Sequence, residues 1–279
     1  MKILDNLRDG YKILKNNSIP SYKIDSEILM SQTLEISREE LILNLEKKVN
    51  LKEKEKYYNF INRRKKNEPI AYIISNKSFW RDKFLIDKNV LIPRPDSEHL
   101  VEQTLKLIKR NQTKKILDIG VGSGCLTISI LKERQFCKCD AVDVSKKALK
   151  LAKMNANLHQ LTDRIKFYKS DVDNFCNDKY DLIISNPPYI KKHKIKYLGV
   201  INFEPKIALD GGLDGLEVIR KVISKSKYLL KLNGKLILEI GNNQRYSVTN
   251  FLKEKNFFIN NIIKDYGKNI RCIVSTKTN

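Results

Sequence analysis

Apolar positions in the first 68 residues recur at helical spacing. Leu4, Leu7, Tyr11, Ile13 and Leu14 form one series; Ile24, Ile28, Leu29 and Leu34 form a second, with Pro20 between them. Ser37 precedes Glu39 and Glu40, the arrangement of an N-cap, and predicts a short third helix. A charged fourth helix is predicted from about 51 to 67. Its Arg63-Arg64-Lys65-Lys66 run reads as a solvated face, with a docking surface as the alternative. Between 69 and 93 the period changes. Ile70, Tyr72, Ile73, Ile74, Phe79, Trp80, Phe84, Leu85, Ile86, Val90, Leu91 and Ile92 favour strands, broken at Asn76-Lys77-Ser78 and Asp87-Lys88-Asn89, which predicts a hairpin or small ribbon connecting two domains. From about Asp96 the two periods alternate. Helices are predicted at 97–110, after Gly124, and at 146–158, 214–231 and 243–255. Strands are predicted at 114–119, 138–143, 164–169, 180–185, 235–240, 257–263 and 270–276. This alternation predicts a doubly wound α/β sheet with helices on both faces. The short gap carrying Tyr266-Gly267 predicts an antiparallel hairpin at one edge. The expected organisation is a helical domain over 1–68, a β-hairpin connector over 69–95 and an α/β domain over 96–279.

Composition narrows the class. At 279 residues and 41% apolar content, the chain can build one full core and a smaller attached domain. It has no apolar run near the roughly 18–20 residues of a membrane span, and Lys2, Asp5, Arg8 and Asp9 interrupt any signal-like segment. The five cysteines (Cys125, Cys137, Cys139, Cys176 and Cys272) form no Cys-x-x-Cys pair and do not cluster with His99, His159 or His193. A reduced, metal-free, cytoplasmic protein is expected. The net charge of +22 fits an acidic or nucleic-acid partner and fits equally a lysine-rich composition spread over every segment.

The chemistry gathers at predicted strand ends. Asp118-Ile119-Gly120-Val121-Gly122-Ser123-Gly124 joins a strand to a helix, and its glycines let the backbone turn sharply and approach a ligand. The spacing is not the Gly-x-Gly-x-x-Gly of dinucleotide sites, and a glycine loop with no ligand is the alternative. Asp143, ending the next strand, can accept both hydroxyls of a ribose, or serve as a helix cap in competition with Ser145. Asp171 can accept from an adenine amino group while Val172 packs on the ring; a plain loop Asp is the alternative. Asn186-Pro187-Pro188-Tyr189 follows the apolar Leu182-Ile183-Ile184-Ser185. It resembles the catalytic motif of methyltransferases that move a methyl group from S-adenosyl-L-methionine to a planar nitrogen. Such a nitrogen is a poor nucleophile because its lone pair is delocalised. The Asn186 side-chain oxygen and the Pro187 carbonyl can each accept one hydrogen of the target NH2, and Pro187 and Pro188 stiffen the loop. Tyr189 can pack on the planar group and aim it. The bland alternative is a proline-rich turn.

Further segments carry a more specific likeness. Glu68-Pro69-Ile70-Ala71-Tyr72 with Phe79-Trp80, then Leu91-Ile92-Pro93-Arg94-Pro95-Asp96-Ser97-Glu98, then Phe203-Glu204-Pro205, Ala208-Leu209, Gly211-Gly212 and Asp214-Gly215-Leu216, and finally Asp265-Tyr266-Gly267 with Arg271, run nearly the length of the chain. In them the sequence resembles the release-factor glutamine methyltransferase family, the PrmC or HemK proteins. The resemblance implies a Rossmann-like, seven-stranded class I methyltransferase sheet preceded by a substrate-recognising helical bundle. It implies S-adenosyl-L-methionine as cofactor, held by Gly120 to Gly124, Asp143, Asp171, Val172 and Asn186. It also implies glutamine binding by Asn186 to Tyr189. The implied partner is a class 1 peptide chain release factor, methylated on the glutamine of its Gly-Gly-Gln motif by a monomer that needs neither nucleic acid nor membrane. Ser75 stands where the family often has Gly, and Ser78 where it often has an acidic residue, which bears on local turn geometry. Arg94 receives no contact from this reading. The basic Lys191-Lys192-His193-Lys194 either attracts an acidic release factor or reflects composition.

Two other functions share parts of the pattern. A DNA or RNA amino-methyltransferase would use the same glycine loop and Asn-Pro-Pro-Tyr, but no extended target-recognition domain follows the core. A non-catalytic basic module binding ribosomes or nucleic acid would keep the fold, but would not require the loop residues to be intact.

Overall fold

In a computed structural model the described residues are 1–199, 202–265 and 267–278. They form two compact units, Met1–Asn76 and Lys77–Asn279. The Tyr266 position of the expected edge hairpin lies outside the described residues.

The first unit is helical: α1 (Ile3–Asn16), α2 (Tyr22–Leu34), α3 (Arg38–Leu43), α4 (Leu51–Arg64) and the single turn α5 (Ile70–Ile73). Leu7, Leu14, Leu29, Met30, Tyr57 and Ile61 make its core. Each such side chain contributes roughly 1.5–3 kcal/mol by leaving water. Ile24 of the predicted apolar series instead faces solvent. Helix α1 comes so near α2 and α4 at Gly10 that a Cβ there would lie 2.0 Å from Tyr57 Oη and 2.5 Å from Ser26 Oγ. Ser37 caps α3 as expected: its hydroxyl accepts from Glu40 N at 3.1 Å, and Glu40 Oε2 accepts from Ser37 N at 2.9 Å.

Three expectations are corrected here. The basic run ending α4 is not simply solvated. Arg64 reaches Asp25 at 2.7 Å, and Arg63 binds Glu68 with two nitrogens at 2.8 and 2.5 Å. Residues 70–73 are helical, because Ala71, Tyr72 and Ile73 all bury at once and that burial outweighs their β preference. The hairpin itself runs β1 (Asn76–Phe79), then a turn with Trp80 at φ 56°, then β2 (Asp82–Leu85). Asn76-Lys77-Ser78, read as a break, is therefore strand. Within the second unit Asn155 of the later helical segment holds β2, its Oδ1 accepting from Leu85 N at 2.8 Å and its Nδ2 donating to Leu85 O at 3.0 Å.

A 3-10 turn at Pro95–Ser97 leads into α6 (Glu98–Leu107). Then follow β3 (Lys115–Ile119), α7 (Cys125–Glu133), β4 (Lys138–Asp143), α8 (Lys146–Leu158), β5 (Ile165–Lys169) and β6 (Tyr180–Ser185). The remainder is α9 (Lys192–Ile195), α10 (Glu217–Leu229), β7 (Leu230–Glu239), α11 (Arg245–Glu254), β8 (Phe257–Lys264) and β9 (Ile270–Lys277). These seven strands lie in the order β5-β4-β3-β6-β7-β9-β8, parallel except for β9, which runs antiparallel to both neighbours. This is the expected α/β class with its edge hairpin. The apolar runs of β3 and β6 are buried because helices cover both faces. The chain works outward from β3 to β5 and then returns on its other side through β6. A crevice therefore opens at the carboxyl ends of β3, β4 and β6.

Candidate active site

Strand register sets the level of the site. Ile119 stands opposite Val142 on one side and Ser185 on the other. The residues that follow, Gly120, Asp143 and Asn186, thus emerge together. A cavity of about 400 Å³ opens there, within the size range of small-molecule sites. Its walls include Gly120, Val121, Gly122, Ser123, Asp143, Asp171, Val172, Asn186 and Pro188. Three expected site residues, Gly124, Pro187 and Tyr189, are not among its wall residues.

The glycine loop is held by backbone. Gly120 N and Val121 N both donate to Val142 O, at 2.8 and 3.1 Å. Gly120, Gly122 and Gly124 adopt φ of 80°, 55° and 82°. A Cβ on Gly120 would meet no protein atom within 4 Å and would occupy the opening itself. Gly124 instead starts α7. Asp143 closes the other side of the loop: Oδ2 accepts from Gly122 N at 3.0 Å and Oδ1 from Ser145 N at 2.8 Å. Ser145 is the cap of α8, accepting from Ala148 N. Asp143 is thus free of the capping role. Burial pushes its carboxyl up, against the pull of the amides of Ser145, Gly122 and Val144. With amides as its partners on the loop side, the carboxylate keeps acceptor capacity for further donors.

These residues fit S-adenosyl-L-methionine. The open cradle at Gly120 admits a chain without side-chain interference, Asp143 can accept two hydroxyls, and Val121, Val142, Val144 and Val172 make an apolar wall for a ring. Among the described residues no group of three or more His, Cys, Asp or Glu side chains is placed to hold a metal ion.

At the other end stands Asn186. Its Nδ2 donates to Ser97 Oγ at 2.9 Å, and Ser97 Oγ in turn donates to Glu239 Oε2 at 2.6 Å. The other oxygen, Glu239 Oε1, accepts from Tyr189 Oη at 3.4 Å. Burial pushes the Glu239 carboxyl up to about 7, offset in part by its bond from Ser97 and the charge of Arg271. Tyr189 is raised too, chiefly by burial and then by the charge of Glu239. Beneath the glycine loop Asp118 is likewise buried and pushed up to about 7, with Thr127 Oγ1 donating to it at 2.6 Å.

Arg94 has a defined partner. It donates to Glu204 Oε2 at 2.6 Å, while Glu204 Oε1 accepts from Ile92 N at 3.2 Å. The Glu204 side chain is fully buried. This pair clamps Leu91 to Arg94 against the segment carrying Glu204, Ile207 and Ala208, and Leu91, Pro93, Arg94, Ile207 and Ala208 all line the cavity. Lys192 to Ile195 of the basic stretch form the short helix α9. Residues that motif reading did not assign are Ser97, Glu204 and Glu239. Ser97 and Glu204 sit inside quoted segments, while Glu239 carried only the signal of an acidic residue ending an apolar strand.

Residues 5–74 match the family described as PrmC N-terminal domain, and residues 97–203 match Methyltransferase small domain. A release factor glutamine methyltransferase from Clostridium acetobutylicum is 37% identical over 99% of both chains. One from Fusobacterium nucleatum is 35% identical over 98% of this chain and 78% of its own. In fold, the chain is similar to the ribosomal protein L11 methylase of Lactobacillus delbrueckii subsp. bulgaricus. The TM-score is 0.53 at 18% identity, over 73% of this chain and 90% of that one.

Proposed function

The chain belongs to the release factor glutamine methyltransferase family, and from that premise we propose that it methylates the glutamine side-chain amide in the Gly-Gly-Gln motif of class 1 peptide chain release factors. The carrying observation is the Asn186 amide at the rim of a cavity that also holds the glycine loop and Asp143. When bound, S-adenosyl-L-methionine supplies a methyl group on a positively charged sulfur, which leaves as a neutral thioether. Gly120 to Gly124, Asp143, Asp171 and Val172 are the residues assigned to hold it, with Asn186 at the boundary between cofactor and substrate.

Asn186 Oδ1 and the Pro187 carbonyl each accept one hydrogen of the glutamine NH2. Two acceptors in the amide plane push electron density onto the nitrogen and fix its approach. Asn186 and Pro187 would hold the nitrogen toward the methyl group that the cofactor supplies, and the amide hydrogen lost in the exchange would pass to solvent as a proton. Pro187 and Pro188 restrict the loop, and Tyr189, tethered by Glu239, supplies the surface for the amide plane. The helical unit is assigned to recognition of the release factor. The reading takes the protein to act as a monomer that needs neither nucleic acid nor membrane. No helix among the described residues is long and apolar enough to cross a membrane. The five free thiols suit action in the reducing cytoplasm.

The test is incubation of the purified protein with labelled cofactor and a release factor, with DNA and RNA as parallel arms. Label on the Gly-Gly-Gln glutamine is expected. A release factor that stays unlabelled, or label found on nucleic acid instead, would overturn the proposal.

A further inference from the structure

We infer that Ser97 and Glu239 are positioning residues that set which way the Asn186 amide faces. This rests on the reading that Asn186 holds the substrate nitrogen. An asparagine amide is nearly symmetric in shape, yet only its oxygen can accept a hydrogen from a glutamine NH2. Turned over, it would present a donor to a donor. Something must therefore break the symmetry, and the backbone alone does not.

The hydrogen bonds around Ser97 do so. A serine hydroxyl has one hydrogen to donate. Ser97 donates it to Glu239 Oε2 at 2.6 Å. What remains on Ser97 Oγ is acceptor capacity, and that accepts Asn186 Nδ2 at 2.9 Å. With Nδ2 drawn back to Ser97, Oδ1 takes the opposite branch and is left for the cavity that Asn186 lines. The direction of the relay thus follows from Glu239 Oε2 accepting the Ser97 hydrogen, as it does whenever that carboxyl is ionised.

Glu239 is placed for this by sheet register. Leu238 pairs with Ser185, so Glu239 ends β7 beside the start of the Asn186 loop. Ser97 and Glu239 are both buried, and Ser97 also lines the cavity beside Asn186. The groups facing Glu239 are Ser97 from the 3-10 turn, Tyr189 from the loop, Asp96 beside Ser97, and Arg271 and Cys272 from β9. Arg271 is itself engaged, with Nε 3.1 Å from Asp96 and 2.9 Å from Asp265. Glu239 Oε1 also takes the Tyr189 hydroxyl at 3.4 Å. One carboxylate therefore tethers both ends of the Asn-Pro-Pro-Tyr motif, Tyr189 directly and Asn186 through Ser97.

The experiment is a double-mutant cycle between Ser97→Ala and Asn186→Ala, read by single-turnover methyl transfer to a release factor, with cofactor affinity measured by calorimetry. Ser97→Ala alone is expected to slow transfer about 10-fold, with cofactor affinity and the KM for release factor within about twofold, equivalent to about 1.4 kcal/mol for one hydrogen bond. In the Asn186→Ala background the same change is expected to do nothing further, because no amide remains to orient. Glu239→Ala is expected to add nothing once Ser97→Ala and Tyr189→Phe have together removed both of its contacts to the motif; if it does not fold, the Ser97–Asn186 cycle stands alone. An unaffected transfer rate in Ser97→Ala, or an equal loss in both backgrounds, would overturn the inference. Label on the glutamine in the unaltered protein tests the reaction separately: without it the proposed function fails, and with it only the orienting role is at stake.

Discussion

The two ends of the cavity are built in different ways. The glycine-loop end is made of backbone and near neighbours. Loop amides donate to Val142 O, and Asp143 accepts from Gly122 and Ser145. The Asn186 end is made of side chains from distant parts of the chain: Asn186 on Ser97, Ser97 on Glu239, and Arg94 on Glu204. The first kind of construction tolerates many side chains so long as glycine and one acid are in place. The second demands particular side chains whose partners lie far away in the chain. A bound cofactor needs a shaped cradle, whereas a weak nucleophile needs acceptors aimed at two hydrogens. The second task is the more exacting in direction.

Substitution should separate the ends. Asn186→Ala is expected to lower methyl transfer about 100- to 1000-fold, as loss of one aimed polar group in a preorganised site does, while cofactor affinity in calorimetry changes far less. Asp143→Ala should do the reverse. Its cofactor Kd is expected to rise about 100-fold, on the order of 3 kcal/mol for two charge-assisted hydrogen bonds, with transfer at saturating cofactor nearly kept. If both variants lost affinity and turnover alike, the division between the ends would be broken.

Each end also rests on a buried carboxyl, Asp118 under the loop and Glu239 under Asn186, both pushed up to about 7 by burial. Unfolded, such groups titrate near 4. Between about 4 and about 7 the folded protein therefore holds more protons than the unfolded chain, and stability falls as pH rises through that window. Thermal unfolding across pH should show this, by about 4 kcal/mol per group for roughly three pKa units. Asp118→Asn should flatten the slope and leave the share due to Glu239. The smallest effects sharpen the comparison within the loop. Gly124→Ala places a Cβ 3.3 Å from Ile128 Cδ1 at φ 82° and should cost about 1 kcal/mol of stability. Gly120→Ala meets no protein atom, so beyond similar strain its effect should fall on cofactor affinity.

The elements of the second unit were legible because their periods are strong. The helix predicted over 146–158 coincides with α8, and the strand over 180–185 with β6. The stretch 69–76 was misread because Ile70, Tyr72 and Ile73 prefer strands when exposed, and only burial of the whole turn made them helical. The run at Arg63 and Arg64 was misread because their partners Glu68 and Asp25 become visible only when the helices pack.

The sequence alone determined the alternating sheet and the glycine turn, since local backbone chemistry dictates both. Its motifs also placed the chain in a methyltransferase family. Tertiary structure decided the rest of the site: that Gly120, Asp143 and Asn186 share one rim, that Arg94 answers Glu204, and that Asn186 is tied to Glu239 through Ser97. The reason is physical. A turn or cap is specified by residues that are neighbours in the chain, whereas a hydrogen bond across 89 or 142 positions exists only once strand register has brought its ends together.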